Sequence, residues 1–435
     1  MQESSMRKLR ETSLNLPKVL LPAEAAEMEK WAVIACDQFT SQPEYWRDVE
    51  KTAGESPSTL KITLPEIYLD EADERVPKIN ARMEEYLAQN LLPREFSGFV
   101  LVKRQIGAGI RTGLLALLDL EAYDFSRGSK SPIRATEGTI ISRLPPRVKI
   151  RENAPLELPH ILVLIDDPEK TVIEPLLNKT GDMELLYDFD LMLGGGHITG
   201  YGISEDSGLI DLIASAIDNL AGAKVQAEKY GLTADEISRL GRMTFAMGDG
   251  NHSLATAKTI WERTKQKLPA DQWEDHLARY ALVELNNLHE ESLQFEPIHR
   301  LLENCRPEAV LSAFESWANA QQGSYGRQIV RYLCGETGGE LAVENAPHSL
   351  PVGTLQLFLD EYISANGSVI IDYIHGDDAL FSLAQKAGSL GFLCEAIEKP
   401  QLFKSILLSG PLPRKTFSIG NARDKRYYLE ARRIK

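Results

Sequence analysis

A chain of 435 residues, 43% hydrophobic and 26% charged, carries enough apolar material for two or three packed domains and is not a low-complexity polymer. Its formal charge of −15 excludes a general nucleic-acid coat, because neutralising a phosphate backbone takes clustered Lys and Arg. The four cysteines, Cys36, Cys305, Cys334 and Cys394, are scattered and form no CxxC, which argues against a cysteine metal site or a disulfide framework and fits reduced thiols.

The N-terminal stretch MQESSMRKLRETSLNLPKVL lacks the apolar core of a signal peptide. Apolar runs at 113–118 and 161–165 are too short to span a bilayer, so the expectation is a soluble, cytoplasmic protein without membrane partners. Short runs bounded by Gly, Pro or Asp read as buried strands: WAVIA at 31–35, FVLVKRQI at 99–106, TGLLALLDL at 112–120 and PHILVLIDD at 159–167. Helices are predicted between them at 40–53 and 76–90. From residue 207 the spacing becomes helical, over 209–230 and at 233–240, where Thr233 and Glu236 have capping-box spacing. Further helices are predicted at 255–267, 271–288 and 307–320. A mixed tail follows, with strands at 328–333, 368–373 and 391–395, helices at 354–365, 377–387 and 399–408, and a terminal hairpin in RKTFSIG…KRYYLEARRI. The predicted class is α+β. Three parts are expected: a β-rich 1–220, a glycine-turn and helix segment at 221–300, and an α+β part at 301–435.

The segment with the most chemistry is FAMGDGNHSLATAK at 245–258. Phe245 to Met247 end a strand, Gly248 and Gly250 permit a tight turn close to a ligand, and Asn251, His252 and Ser253 open a helix. Unpaired amides and the positive dipole end make such a start an anion site. Asp249 can hold a divalent ion or accept a proton, and His252 can donate to a phosphoryl oxygen. A plain glycine turn followed by a helix cap explains the same letters without a ligand. The pattern is neither a Walker A loop nor a dinucleotide GxGxxG. MLGGGHITGYGI at 192–203 offers a backbone nest and His197, and reads more simply as a turn between strands. In SPIRATEGTIISRLPPR at 131–147, Arg134, Glu137 and Arg143 are polar candidates, with Glu137 a candidate base; an exposed salt-bridged strand explains them equally well. His299 and Arg300 in EPIHR suit phosphate, and Arg414 and Lys415 in GPLPRKTFSIG form a small basic patch. No HExxH and no GxSxG is present.

In order along the chain, these segments resemble the bacterial family numbered 1015 among the domains of unknown function. That family has a DGHHRYETA signature where this chain has DGNHSLATA at 249–257. Its YRQ, RHExT, PTHR and MPxKST segments are similar to KRQ at 103–105, RATEGT at 134–139, PIHR at 297–300 and LPRKTF at 412–417. The turn also resembles the ParB/sulfiredoxin superfamily, which includes kinases of free serine. The resemblance implies a ParB/sulfiredoxin-like mixed α/β core with additional helical and C-terminal α+β parts. It also implies a nucleotide, ATP or ADP with Mg2+, and a small hydroxyl metabolite such as free L-serine as acceptor. Asp249, His252 and Glu137 then take catalytic roles. Gly248, Gly250, Asn251, Ser253, His299, Arg300, Arg414 and Lys415 contact phosphate or nucleotide, and Arg134, Arg143 and His197 contact substrate. The resemblance leaves the metal ligands open. Asn251 and Ser253 stand where the signature has His and Arg, and Ala135 where it has His. A hydroxyl does not replace a bidentate arginine clamp, so a nucleotide-gated regulatory or partner-binding protein without catalysis is the alternative reading.

Overall fold

The computed structural model describes residues 2–24, 26–107 and 109–435, with Gln2 and Glu3 as backbone only. They group into two compact units. The first holds Met1–Ala135, Thr139–Leu293 and Asn421–Lys435; the second holds Thr136–Gly138 and Gln294–Gly420. Strands and helices occur in both, with parallel and antiparallel pairings mixed in the larger sheet.

The first unit is built on a mixed sheet. Its spatial order is Glu184–Asp190, His197–Ser204, Arg94–Ile106, Gly109–Asp119, Tyr280–Asn287, Leu162–Ile165, Phe245–Asp249, Ile133–Arg134 and Tyr123–Asp124. Alternating residues of each strand feed different cores. Val100, Val102, Leu115, Leu117 and Leu282 belong to one cluster, whereas Phe99, Leu101, Leu114, Ala116 and Val283 belong to the other. Both faces of the central strands are therefore covered, which accounts for their near-continuous apolar runs.

The segment 271–288, expected to be helical, is instead two short 3-10 turns followed by the strand Tyr280–Asn287. All eight residues of that strand are buried, flanked by Gly109–Asp119 on one side and Leu162–Ile165 on the other. Burial on both faces erases the period-2 signal by which a strand is recognised. The helix expected over 209–230 breaks at Gly222 into Leu209–Ala221 and Ala223–Tyr230. Only Val33–Ile34 of WAVIA is strand, because Trp31 ends the helix Met28–Trp31. Segment 131–147 is not an exposed strand: after Ile133–Arg134, buried between two parallel neighbours, it continues as a 3-10 turn and the helix Leu144–Arg151. The helix expected at 233–240 forms as Ala234–Leu240, and its Thr233–Glu236 capping box is present.

The terminal hairpin does not form. Phe417–Ile419 pairs with Phe295–Glu303 in the second unit, while Tyr427–Tyr428 pairs with Val33–Ile34 and Arg432–Arg433 with Leu156–Glu157 in the first. The last fifteen residues are thus threaded through the first unit, burying Tyr427, Leu429, Ala431 and Ile434 in its core. The second unit is an antiparallel sheet in the order Thr337–Val343, Gln328–Cys334, Leu390–Leu393, Phe295–Glu303 and Ile370–His375. Among the described residues, no helix is long and apolar enough to cross a membrane.

The tail is fixed by charge as well as by apolar burial. Arg426 is 1% exposed and donates to Glu284 and to Glu430, which are 1% and 0% exposed. Tyr187 donates its hydroxyl to Glu430, and Arg111 lies 3.6 Å from Glu284. Arg432 adds a second buried pair with Glu157 at 2.7 Å. Burial alone pushes the Glu284 pKa up, but Arg426 and Arg111 outweigh it and hold the carboxyl below its ordinary value. Its share of stability is therefore complete above the unfolded carboxylate range, roughly pH 4–5, and is lost as pH falls through the lower folded value. Replacing Arg426 by Met leaves two buried carboxylates without their shared cation, Glu284 keeping only Arg111 at 3.6 Å and Glu430 the Tyr187 hydroxyl, and is expected to cost about 3–5 kcal/mol in urea denaturation at neutral pH. A loss of under about 1 kcal/mol, typical of an exposed pair, would show that this network does not hold the tail.

Candidate functional site

The glycine turn lies in the first unit where the strand Phe245–Asp249 runs into the 15-residue helix Asn251–Lys265. Phe245, Ala246 and Met247 are fully buried, so the strand end is fixed in the sheet. Its pairing with Leu162–Ile165 is irregular between Met247 and Asp249. A Cβ on Gly248 would lie 3.1 Å from Leu164 and 3.2 Å from the Leu162 carbonyl, so the irregularity has little room for a side chain. Gly250 is left-handed at φ 82° and ψ 27°, a conformation that favours glycine. The helix starts without a side-chain cap, and its first intrahelical bond runs from the Leu254 amide to the Gly250 carbonyl at 3.1 Å. The preceding amides of His252 and Ser253 consequently have no intrahelical acceptor.

Around this start the fold gathers side chains distant in sequence. Asp249 accepts the Gly250 amide on Oδ1 at 2.9 Å and pairs through Oδ2 with Nζ of Lys425 at 3.0 Å. Lys425 arrives on the threaded tail and its side chain is only 12% exposed. Burial, then the positive charges of Arg147 and Arg143, push the His252 pKa down to about 4, so the imidazole is neutral at physiological pH. Its Nε2 is buried and has no hydrogen-bond partner among the described residues. Ser253 Oγ lies 2.9 Å from Nε2 of His160, whose Nδ1 is 3.3 Å from the Tyr428 hydroxyl. Ser253, His160, Tyr428 and Thr256 line a cavity of about 160 Å3, with Arg147 and Arg151 among its other walls. Deeper in the helix, Lys258 is paired with Glu262 at 2.7 Å.

His160, Lys425 and Tyr428 escape a reading of the sequence. His160 sits at the start of an apolar run that signals only a strand, and Lys425 and Tyr428 lie in a tail whose partners are more than 170 residues away. No local spacing encodes that approach.

The remaining candidates fall elsewhere. Arg134 is buried and donates to the carbonyls of Ser131, Leu240 and Gly241 at 2.8, 2.9 and 3.0 Å, so its guanidinium closes a helix end. Arg143 is exposed and feels the turn through its charge on His252. His197 lies between Asp190 and Asp188, both at 2.7 Å, and these carboxylates raise its pKa. The neighbouring glycines answer to packing: a Cβ on Gly195 would meet the Tyr427 hydroxyl at 2.4 Å, and one on Gly196 the Gln105 carbonyl at 2.2 Å.

Glu137, His299, Arg300, Arg414 and Lys415 belong to the second unit, apart from the nine candidates of the first. Arg300 is fully buried and donates to Gln356 and to the carbonyls of Ile298, Lys415 and Arg414, organising the loop that carries the exposed Arg414 and Lys415. All three cations face the Tyr373 ring, at 4.8, 5.4 and 5.3 Å from its centroid. Glu137 is bridged to Leu412 at the start of the same loop, and its charge acts on Arg300. His299 receives the Cys394 amide on Nδ1 at 3.1 Å, which places its proton on Nε2, 2.9 Å from Asp377. Burial lowers its pKa, with Asp377 opposing. No group of three or more metal-ligating side chains occurs among the described residues.

The family model described as a protein of unknown function, number 1015, matches residues 20–362, and the chain belongs to that family. No curated protein matches it. Solved structures similar to it include a free serine kinase in complex with AMP, at 8% identity and a TM-score of 0.38, covering 74% of this chain and 92% of that one. A conserved hypothetical protein from Pyrococcus furiosus is 10% identical with a TM-score of 0.33, covering 72% of this chain and 90% of its own. SbnI with a C-terminal truncation, from Staphylococcus aureus, is 11% identical with a TM-score of 0.33, covering 70% and 82%. These are remote likenesses, and no residue role follows from them.

The state of His252 is directly measurable. Its ring-proton NMR titration is expected to have a midpoint near pH 4. Because this lies below the ordinary histidine value, its stabilising share is complete above pH ~6.5 and is lost as pH falls towards the folded midpoint. Arg147→Gln should move the midpoint only part of the way back, since burial is the larger cause; a wild-type midpoint at the ordinary value would overturn this account.

Proposed function

We propose that this member of the family binds a nucleotide phosphate at the turn formed by Gly248, Asp249, Gly250, Asn251, His252 and Ser253, and transfers a phosphoryl group to a small hydroxyl metabolite, with free L-serine the first to test. The observation that carries the reading is the uncapped helix start beside the Asp249–Lys425 pair. Free amides and a held cation at one helix N-terminus suit an anion. Phosphoryl transfer asks mainly for positioning and neutralisation, so such a site needs little else from the protein. A neutral His252 is a hydrogen-bond donor or acceptor without adding charge. Arg143, whose charge acts on His252, is retained as a proposed substrate contact.

ATP or ADP is the proposed donor. Mg2+ fits if it rides chiefly on phosphate oxygens, because the carboxylate at the turn, Asp249, is already paired with Lys425. A second reading, nucleotide binding that gates a regulatory contact without turnover, is favoured by Asn251 and Ser253 standing where the family signature has His and Arg.

Calorimetry with ATP and ADP, with and without Mg2+, tests binding, and phosphorus NMR of reactions with L-serine tests transfer. Asp249→Ala is expected to lower turnover by about a hundredfold or more while preserving the fold. Absence of binding to either nucleotide would end both readings. Binding without transfer would select the second.

A further inference from the structure

We infer that Ser253 and His160 form a nucleophile–base pair, and that the cavity they face takes the acyl portion of a small, uncharged carboxylic ester. A hydroxyl is activated when a base lies within hydrogen-bond reach and a third group orients that base. Here Ser253 Oγ is 2.9 Å from His160 Nε2, and Tyr428 meets Nδ1 at 3.3 Å. The Tyr428 oxygen also accepts the Cys36 amide at 3.4 Å, which anchors the ring from its far side. The base form is the tautomer with Nδ1 protonated towards Tyr428, which leaves Nε2 to accept the serine proton.

The surroundings suit an ester. Ser253 and His160 are half-buried and both line the cavity, so a ligand there reaches them. Ile62, Leu69, Ile79, Met83, Ile150 and Leu282 give it apolar walls. Arg147 is paired with Glu66 and Arg151 with Glu157, so the arginines that line it are already neutralised and an uncharged ligand fits better than an ionic one. Ser253 is the third residue of its helix, and the amides of His252 and Ser253, free of intrahelical acceptors, are donors for negative charge developing on a carbonyl oxygen.

In the first step Ser253 Oγ bonds to the ester carbonyl carbon as His160 Nε2 takes the hydroxyl proton. The carbon–alkoxide bond then breaks, and the alcohol leaves with that proton. Water attacks the acyl-serine, giving its proton to His160, which returns it to Ser253 Oγ as the carboxylic acid departs. Nothing beyond ester and water is consumed. Both readings draw on the His252 and Ser253 amides, but acyl transfer alone needs the Ser253 hydroxyl and His160 as base, and nucleotide binding alone draws on Asp249 and Lys425, so covalent labelling of Ser253 and calorimetry with nucleotide separate the failure of one from the failure of the other.

The test needs no nucleotide. Wild-type protein is treated with a fluorophosphonate and the adduct located by peptide mass spectrometry, and hydrolysis of p-nitrophenyl butyrate is followed in parallel. Labelling on Ser253 is expected, with hydrolysis falling to background in Ser253→Ala and by about a hundredfold or more in His160→Gln. Tyr428→Phe, which removes only the orienting hydroxyl, should cost less and shift the pH–rate profile. Thermal melts establish that each variant is folded, and the wild-type adduct depends on no variant. No labelling, labelling confined to another residue, or equal hydrolysis by Ser253→Ala would overturn the inference.

Discussion

Arg426 bound between Glu284 and Glu430 is the interaction on which the candidate site depends. One cation between two anions is costly to bury, and apolar residues of the same volume are often as stable. Its consequence is positional. Glu284 lies on the central strand Tyr280–Asn287, on the face that also presents Tyr280 and Leu282 to the core with the tail. Binding Arg426 there fixes the register of the tail on the sheet. With that register set, Lys425 stands at Asp249 and Tyr428 at His160. A tail shifted by one residue would present its alternate side chains to the same surface.

The neighbours reinforce this placement through backbone groups. Arg104 donates to the carbonyls of Arg423, Asp424, Lys425 and Gly195, and Arg111 to that of Asp424. A buried guanidinium can satisfy several carbonyls of an irregular segment that has no sheet partner at those positions. Arg300 does the same in the second unit for the loop carrying Arg414 and Lys415. In both units arginines that read from sequence as anion-binding candidates or plain charge spend their donors on holding a chain segment.

At the glycine turn, local and tertiary effects meet. Gly250 supplies the left-handed residue, and the strand and helix on either side are legible from their own spacing. Thr233 with Glu236 was equally legible, because a capping box is a contact between residues three apart. The segment 271–288 was not. Its residues are buried on both faces of a sheet, so neither alternation nor helical spacing distinguishes it. The expected terminal hairpin fails for a related reason: two short apolar runs near each other suggest mutual pairing, yet each pairs with a strand far away in sequence.

By itself the sequence determined what depends on neighbours within a few residues: the α+β class, most helices and strands outside the sheet centre, the glycine turn and the helix that follows it, and through ordered motifs the family. Tertiary structure alone decided which distant groups reach that turn. It brought Lys425 to Asp249, set His160 and Tyr428 against Ser253, gave Arg134 to a helix end, and placed Glu137 with Arg300 rather than in the unit that holds the turn. Burial and strand register decide such contacts, and neither is a property of residues a few positions apart.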